Sequence, residues 1–395
     1  REIYNRNDDS VVTVVNGKER IIRRSRGYAP LPIKVMNDVE GIMAAGAELV
    51  NCFAVGRRNY VFLSQHIGDL KNFETYAFYR ESFDRFLHLF RVRPRLIAAD
   101  LHPDYLSTQY AHETGLPVVR IQHHHAHIAS CMAENKVEGP VIGVAFDGTG
   151  LGDDGTIWGG EFMVCNFYGY QRITHLPYIP LPGGDLVTHE PWRTALSIVL
   201  QIVEDENFIF RLPFIRKIKP DTVRLVIAAV EKQINTPLSS SAGRWFDGVS
   251  ALAELCSEAC FHAEAPMRLE AALKRDNAFA YPFAYEGHRI DLKEAVSAMI
   301  TDSMVAGNAE RIATGFHNML VRLIEKVVFE ISEETGIRTV ALSGGTFQNR
   351  YLSEQVEKCL SQAGFRVLFH QNVPCNDGGL ALGQIMIAAH KLVNQ

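Results

Sequence analysis

A strand pattern that occurs twice constrains the fold of this 395-residue chain more than any other feature. The predicted elements of the first occurrence are a strand meander at 42–45, 49–55 and 60–64 with a turn at 57–59, a helix at 73–90, and buried strands at 96–99 and 117–121. A strong strand at 141–146 and its partner at 157–166 start a second meander about 100 residues after the first. The chain therefore looks like two related halves.

The rest of the pattern closes the second half. Residues 339–384 return to strand, glycine turn, helix, strand, turn and helix, whereas 187–276 are mostly helical and predict an insertion. Two meanders, each followed by alternating strands and helices, are typical of the actin-like, sugar-kinase and heat-shock ATPase fold, in which two RNase H-like subdomains flank a cleft. We predict an α/β protein of this class with a nucleotide in the cleft.

The first residues form a separate unit in this interpretation. Residues 11–24 predict a hairpin, because Asn16-Gly17 favours a tight turn between two strands. The segment 27–32 contains two prolines and predicts a linker, so the main domain spans 33–395. The chain lacks an initiator methionine and begins as if within a domain, and we expect a fragment of a longer polypeptide.

Composition excludes several classes of function. The formal charge of −5 comes from 40 basic and 45 acidic residues spread along the chain, which argues against a nucleic-acid partner. No apolar run approaches the roughly 18–20 residues that span a bilayer, so no membrane contact is expected. The seven cysteines form no CxxC pair, which favours reduced thiols and a cytoplasmic location.

Four of the fifteen histidines fall within residues 123–127, inside a stretch that otherwise favours a helix. His123 and His127 are four residues apart, so one helix face presents both imidazoles to a single metal ion. His124 and His125 point about 100° and 200° away from His123. Each of these two side chains either lines the cleft or packs against the rest of the protein.

Glycine-rich loops follow two of the predicted strands. In the first loop, Gly148, Thr149, Gly150 and Gly152 let backbone amides approach an anion, while the strand fixes Asp147 at its tip. That combination suits a phosphate with its metal. A loop of this composition between two strands is, however, most often a plain hairpin turn.

The second glycine loop lies near the C-terminus. Gly344, Gly345 and Asn349 follow the strand at 340–342 and open a helix whose amides can hold a phosphate. Further on, Asp377 precedes two glycines and an apolar helix, and it is either an N-cap or a metal ligand.

Jointly, these segments resemble the C-terminal half of the HypF family, the carbamoyltransferases of NiFe-hydrogenase maturation. The motifs that carry the resemblance are HHHAHIASCMAEN, AFDGTGLGDDGTIWGGEF, LPGGD, EPWR, LSGGTFQNRYL and CNDGGLALGQ. The wider relatives are the TsaD/Kae proteins of tRNA threonylcarbamoyladenosine synthesis. One departure is the segment 261–266, FHAEAP, where the family has something closer to YEGQAA.

The resemblance implies a metal site and a domain division. His123, His127 and Asp377 would bind one divalent metal ion, with Asp147 as a fourth ligand of the HypF type. Two imidazoles and two carboxylates suit iron, zinc or manganese. Residues 1–32 would be the end of a YrdC-like domain and a linker, with 23–26 as a remnant of its adenylate-binding face, and 33–395 a TsaD/Kae-like carbamoyltransferase domain.

The resemblance also implies a reaction. Carbamoyl adenylate, made from ATP, would give its carbamoyl group to the C-terminal cysteine of HypE, in the synthesis of the cyanide ligands of the hydrogenase, and AMP would leave. No nucleophile within this chain is needed, and no general base is assigned. The acylphosphatase, zinc-finger and most of the YrdC-like parts are missing, so this chain should not make carbamoyl adenylate itself. A homodimer is left open.

Three other functions stay open at this stage. The first is a TsaD-type transfer of a threonylcarbamoyl group to tRNA. The second is O-carbamoylation of a small molecule. The third is a non-catalytic, ATP-dependent docking module, because the same fold serves chaperones.

Overall fold

The computed structural model describes residues 5–393. The first four and the last two residues of the predicted units 1–32 and 33–395 lie outside this range. The strands are β1 (Val11–Val15), β2 (Lys18–Arg23), β3 (Ile33–Lys34), β4 (Ile42–Ala44), β5 (Ala54–Arg57), β6 (Tyr60–Leu63), β7 (Leu96–Asp100), β8 (Val118–Ile121), β9 (Val141–Phe146), β10 (Gly160–Cys165), β11 (Tyr170–His175), β12 (Ile179–Pro180), β13 (Leu238–Ser239), β14 (Ala284–Glu286), β15 (Arg289–Asp291), β16 (Thr339–Ser343) and β17 (Arg366–Leu368).

Helices cover the faces of the two large sheets and fill the long segment between β12 and β16. They are α1 (Phe73–Phe90), α2 (Leu106–Glu113), α3 (His123–Glu134), α4 (Pro191–Leu200), α5 (Glu206–Ile209), α6 (Pro220–Glu231), α7 (Ala242–Leu252), α8 (Glu264–Ala272), α9 (Lys293–Ser303), α10 (Ala309–Thr335), α11 (Arg350–Gln362) and α12 (Leu380–Val393). Five of them, α4 to α8, lie within the segment 187–276. No helix in the described part of the chain is long and apolar enough to cross a membrane.

The two large sheets repeat one topology. The first has the order β3-β6-β5-β4-β7-β8, antiparallel up to β4 and parallel from β4 to β8. The second has the order β11-β10-β9-β16-β17, antiparallel up to β9 and parallel from β9 to β17. A meander followed by parallel strands thus occurs twice. The predicted α/β class with two related halves is confirmed.

The first meander differs from its prediction in one strand. The predicted strand at 49–55 pairs in the sheet only from Ala54 onward. The preceding residues form a turn, in which the side-chain amide of Asn51 donates to the carbonyls of Ala45 (3.0 Å) and Ala47 (2.6 Å). Gly46 adopts a positive φ of 77° in this turn. An apolar sequence alone does not reveal a turn that a buried asparagine holds together.

The N-terminal hairpin forms as predicted. β1 and β2 pair antiparallel, and Asn16 and Gly17 both have positive φ, 48° and 72°, as a type I′ turn requires. The hairpin packs on the second half of the chain, because the Arg20 guanidinium contacts the Glu357 carboxylate at 3.3 Å.

Two helices, α3 and α12, pack against each other between the two sheets. Their buried residues join one apolar core that includes residues of both sheets. The helices approach closely where α12 has a glycine, because a Cβ on Gly383 would overlap the carbonyl oxygen of Ala126. Ser130 of α3 also donates to the carbonyl of Gly379 at 2.7 Å. The turn before α12 is therefore fixed relative to α3.

Replacing Gly383 with alanine should push these helices apart, because the added methyl has no space against the backbone of Ala126. We expect G383A to lower the free energy of unfolding by about 1–3 kcal/mol, the usual cost of overpacking. Urea denaturation followed by circular dichroism measures this loss. The control is G139A, where a Cβ meets nothing within 4 Å. Equal losses in the two variants would contradict the close helix contact.

Candidate metal centre and adjoining cleft

The cluster of histidines forms the start of a buried helix. Gln122 caps α3, since its side-chain oxygen accepts the backbone N–H of His125 at 2.9 Å. His123 and His127 lie on the same side, with ring centroids 4.9 Å apart, and both side chains are buried. Because α3 follows β8 directly, its N-terminus lies at the carboxyl end of the parallel strands, where clefts of open α/β sheets form.

Two carboxylates complete this cluster. Asp147 Oδ2 lies 3.1 Å from His127 Nε2 and 3.3 Å from His123 Nε2. Asp377 Oδ1 lies 3.4 Å from each of the same two nitrogens. One ligand atom from each of these four residues lies within 4.8 Å of all the others. The structure thus brings all four predicted metal ligands together.

Asp377 does not act as the N-cap that its sequence position also permits. The neighbouring Asn376 takes that place, because its side-chain oxygen accepts the N–H of Gly378 at 3.0 Å. The carboxylate of Asp377 is therefore free to reach the histidines.

The charges of the cluster stabilise one another. Burial alone would lower the pKa of His123, but the carboxylates of Asp100 and Asp377 outweigh it and hold that pKa well above its ordinary value. Asp147 likewise raises the pKa of His127 against the effect of burial. In return, the histidines hold the pKa of Asp147 well below its ordinary value although burial opposes this. A divalent cation would replace the protons that these imidazoles carry.

Asp100 is a further candidate residue of the site, to which no motif in the sequence pointed. It is fully buried at the end of β7, and its Oδ2 lies 2.7 Å from His123 Nδ1. A hydrogen bond from Nδ1 to a carboxylate fixes the tautomer that leaves the Nε2 lone pair for a metal. The signal in the sequence was an aspartate directly after an apolar strand. The four candidate ligands, with one imidazole already oriented, fit a divalent metal ion.

A cavity of about 470 Å³ adjoins the cluster. Asp147 and Asp377 line it, as do four of the predicted nucleotide-binding residues: Gly148, Thr149, Gly345 and Asn349. Within residues 5–393, the backbone N–H groups of Gly148 and Thr149 have no hydrogen-bond acceptor. The N–H of Gly345 is used internally, since it donates to Asp147 Oδ1 at 2.8 Å. The first loop therefore offers free donors to an anion, whereas the second orients Asp147.

Three other predicted nucleotide-binding glycines pack against protein atoms and are not among the residues that line the cavity. A Cβ on Gly150 would lie 2.6 Å from the ring of His124, and one on Gly152 would overlap the indole of Trp158. Gly344 has a φ of 103° and lies against the backbone of Phe146. These glycines allow close packing beneath the loops.

The other two histidines of the cluster are packed residues. His125 Nε2 lies 2.6 Å from the carbonyl oxygen of Asn166, and burial lowers the pKa of His125 to about 4. Burial holds the pKa of His124 well below its ordinary value, and His123 lowers it further. Both imidazoles are therefore neutral supports.

The departing segment 261–266 forms one wall of the cavity. Its Glu264 turns away from the cavity and contacts the Arg268 guanidinium and the backbone N–H of Cys260, each at 2.5 Å. The glutamate that lines the cavity is Glu270, which also accepts the N–H of Tyr351 at 3.0 Å. Burial raises the pKa of Glu270. The sequence marked the segment 261–266 as a departure from the family and did not point to Glu270.

The start of α7 forms another part of the wall. Ser241 caps this helix, and its Oγ also lies 2.8 Å from the carbonyl oxygens of Asp147 and Gly148. Arg244 lines the cavity and pairs with the buried Asp247 at 2.9 Å. Two of the candidate metal ligands, the free amides and the guanidinium of Arg244 therefore line a single cleft.

The fold and the cleft define a two-lobed α/β domain of the actin-like class with candidate metal ligands at its centre. Two family models match it: "Carbamoyltransferase, Kae1-like Domain, second subdomain" over residues 143–384 and "HypF Kae1-like domain" over residues 37–134. The chain belongs to the HypF carbamoyltransferase family.

Similar proteins agree with this assignment. Carbamoyltransferase HypF of Synechocystis is 37% identical over 96% of this chain and 51% of its own length. A carbamoyltransferase HypF homolog of Cupriavidus necator is 36% identical over 90% of this chain and 93% of its own length. A crystal structure of full-length HypF in a phosphate- and nucleotide-bound form superposes with a TM-score of 0.94 and 42% identity, over 99% of this chain and 62% of that one. The chain spans about half the length of most curated relatives that it matches.

The buried Asp247 gives the folded chain a pH-dependent stability. Burial raises the pKa of Asp247 to about 6, although Arg244 opposes this. A carboxyl with a raised pKa keeps its proton longer in the folded state, so its contribution to stability is present at low pH and is lost as the pH rises through about 6. Relative to D247N, whose amide does not titrate, the wild type should lose about 1.4 kcal/mol of unfolding free energy between pH 5 and pH 8.

Urea denaturation of both proteins at a series of pH values measures this difference. A difference between wild type and D247N that stays constant over the same range would contradict the raised pKa.

Proposed function

We propose that this chain transfers a carbamoyl group from carbamoyl adenylate to the C-terminal cysteine thiol of HypE, in the synthesis of the cyanide ligands of NiFe hydrogenases. The observation that carries the proposal is the position of the candidate metal ligands beside free backbone donors in one cleft. The relatives named carbamoyltransferases support the reaction class. The nucleotide-bound HypF structure supports a nucleotide donor.

The reaction is a displacement at the carbamoyl carbon. The partner's thiolate forms a C–S bond to that carbon, the C–O bond to the phosphate breaks, and AMP leaves with the electron pair. His123, His127, Asp147 and Asp377 would hold one divalent ion, which supplies positive charge to the phosphate of the donor.

The chain's own groups orient the donor. The N–H groups of Gly148 and Thr149 donate to phosphate oxygens or to the oxyanion formed at the carbonyl. Arg244 adds a positive charge to the lining of the same cavity. Positioning of this kind holds the carbamoyl carbon toward the open side of the cleft, where a partner's thiolate can arrive.

A thiol acceptor from a partner agrees with the chain's own cysteines. Cys375 lies two residues before the candidate ligand Asp377. No other cysteine is as close in sequence to either Asp147 or Asp377. Burial and the nearby charge of Asp147 raise the pKa of Cys375 to about 12, so its thiol stays protonated. A protonated thiol is a poor nucleophile. This property of Cys375 supports an acceptor thiol from a partner over Cys375 itself.

The two regions of the chain take different parts in this proposal. Residues 33–395 form the carbamoyl-transfer domain, and 1–32 represent the end of a YrdC-like unit that delivers the adenylate. The hairpin of the first region reaches the cavity, because Val11, Ile22 and Arg23 line it.

The direct test mixes this chain with synthetic carbamoyl adenylate and HypE, and follows the C-terminal peptide of HypE by mass spectrometry. We expect H123A and D377A to lose the bound metal and to slow transfer by about 10³-fold, since a metal contributes several kcal/mol to charge stabilisation. The control H88A replaces an exposed histidine on α1 and should transfer normally.

Two results would contradict parts of the proposal. Normal transfer by both variants would show that the cluster is not the reaction centre. A metal-loaded wild type that leaves the HypE cysteine unmodified would show that the acceptor is wrong.

A further inference from the structure

A chain of buried polar groups extends outward from His127. Its Nδ1 lies 3.4 Å from the hydroxyl of Ser343, at the end of β16. The same hydroxyl lies 2.8 Å from His370 Nε2. Ser343 and His370 are both buried, with 0% and 3% of their surface exposed, so bulk water does not compete for these contacts. Neither residue belongs to a motif that predicted a role for it.

The chain of groups ends at a carboxylate. His370 Nδ1 lies 3.3 Å from Glu134 Oε2, a contact of ion-pair length without hydrogen-bond geometry, and neither atom has a hydrogen-bond partner within residues 5–393. Glu134 is the last residue of α3, the helix that carries His127. Its other oxygen accepts the backbone N–H groups of Gln371 (2.6 Å) and Asn372 (2.5 Å). Glu134 thereby fixes the segment that bears His370.

The hydrogen bonds along this chain of buried polar groups all run in one direction, from donor to acceptor outward from His127. A metal at His127 Nε2 requires the proton of that imidazole to be on Nδ1, which then donates to Ser343 Oγ. The serine hydroxyl donates in turn to His370 Nε2, which is its shorter contact, since the carbonyl of Cys375 lies 3.4 Å away. His370 consequently carries its proton on Nδ1, facing the Glu134 carboxylate.

We propose that Ser343, His370 and Glu134 are positioning residues that hold His127 in its metal-binding tautomer, a role that rests on the metal centre of the proposed function. The other imidazole of the centre has a direct counterpart, because His123 Nδ1 contacts the Asp100 carboxylate at 2.7 Å. Each histidine is thus supported by a buried carboxylate, one directly and one through two intermediate groups. Such support orients the ring and raises the basicity of the ligand.

The N-terminal hairpin holds this arrangement from outside. Arg20 donates to the carbonyl of His370 at 2.9 Å, and Arg24 donates to the carbonyl of Asn372 at 3.1 Å. Both arginines are buried. The hairpin therefore contacts the segment that orients a candidate metal ligand.

The test measures the dissociation constants of Zn²⁺ and Co²⁺ by chelator competition in the full chain. S343A removes the acceptor of His127, and H370L removes the acceptor of Ser343. Both variants should bind metal about 10–100-fold more weakly, as is usual when an outer partner of a ligand is lost. H370Q, whose side-chain oxygen can stand near the position of Nε2, should bind more tightly than H370L.

The control replaces another buried histidine that lies apart from the cluster. His390 of α12 contacts the carbonyl of Met386 at 2.8 Å and stacks on Phe167. H390L should keep the wild-type dissociation constant. The Co²⁺ absorption bands give a second readout, because they report ligand geometry independently of stability. They should change in S343A and stay unchanged in H390L.

The outcomes separate this inference from the metal centre itself. Wild-type metal affinity and Co²⁺ bands in S343A would overturn the positioning role. If H123A loses metal binding in the same experiments, the proposed metal centre still stands. Equal weakening in H370L and H390L would also overturn it, as a general effect of core damage. Undiminished metal binding in H123A would instead disprove the proposed centre. If H370L does not fold, S343A decides.

Discussion

Asp147 is the residue on which the arrangement of the cleft depends. Its Oδ2 contacts His123 and His127 of α3, and its Oδ1 accepts the backbone N–H of Gly345 at 2.8 Å. Its backbone carbonyl accepts the hydroxyl of Ser241 at the start of α7. One residue at the end of β9 thus connects the last helix of the first half, the glycine turn after β16 and the helical segment. The carboxylate of Asp147 makes the first two contacts and its backbone carbonyl makes the third.

The cost of burying these groups explains why they occur together. An isolated ionised side chain loses several kcal/mol of hydration in a protein interior, and a partner of opposite charge is needed to offset the loss. Here two imidazoles face two carboxylates in the cleft, and a third carboxylate, Asp100, lies behind one of them. A cation between the four inner groups would satisfy their lone pairs, which is why the arrangement suits metal binding better than a simple ion-pair network.

Sequence reasoning located the parts of this site that have a local pattern. The spacing of His123 and His127 predicts one helix face, and Asp147 stands at the tip of a recognisable strand before a glycine. Asp100 and His370 have only a weak pattern, since each is a single polar residue after an apolar stretch, and tertiary packing brings it to the cluster. The same limit applies to the loops, because the sequence does not show that Trp158 fills the space beside Gly152.

The most direct test of the account is a crystal structure of the full chain grown with Zn²⁺, with the ion located by anomalous scattering. The account predicts one strong peak per chain, at about 2.0–2.2 Å from His123 Nε2, His127 Nε2, an oxygen of Asp147 and an oxygen of Asp377. A peak bound by other residues, with these four side chains still in contact with one another, would contradict it.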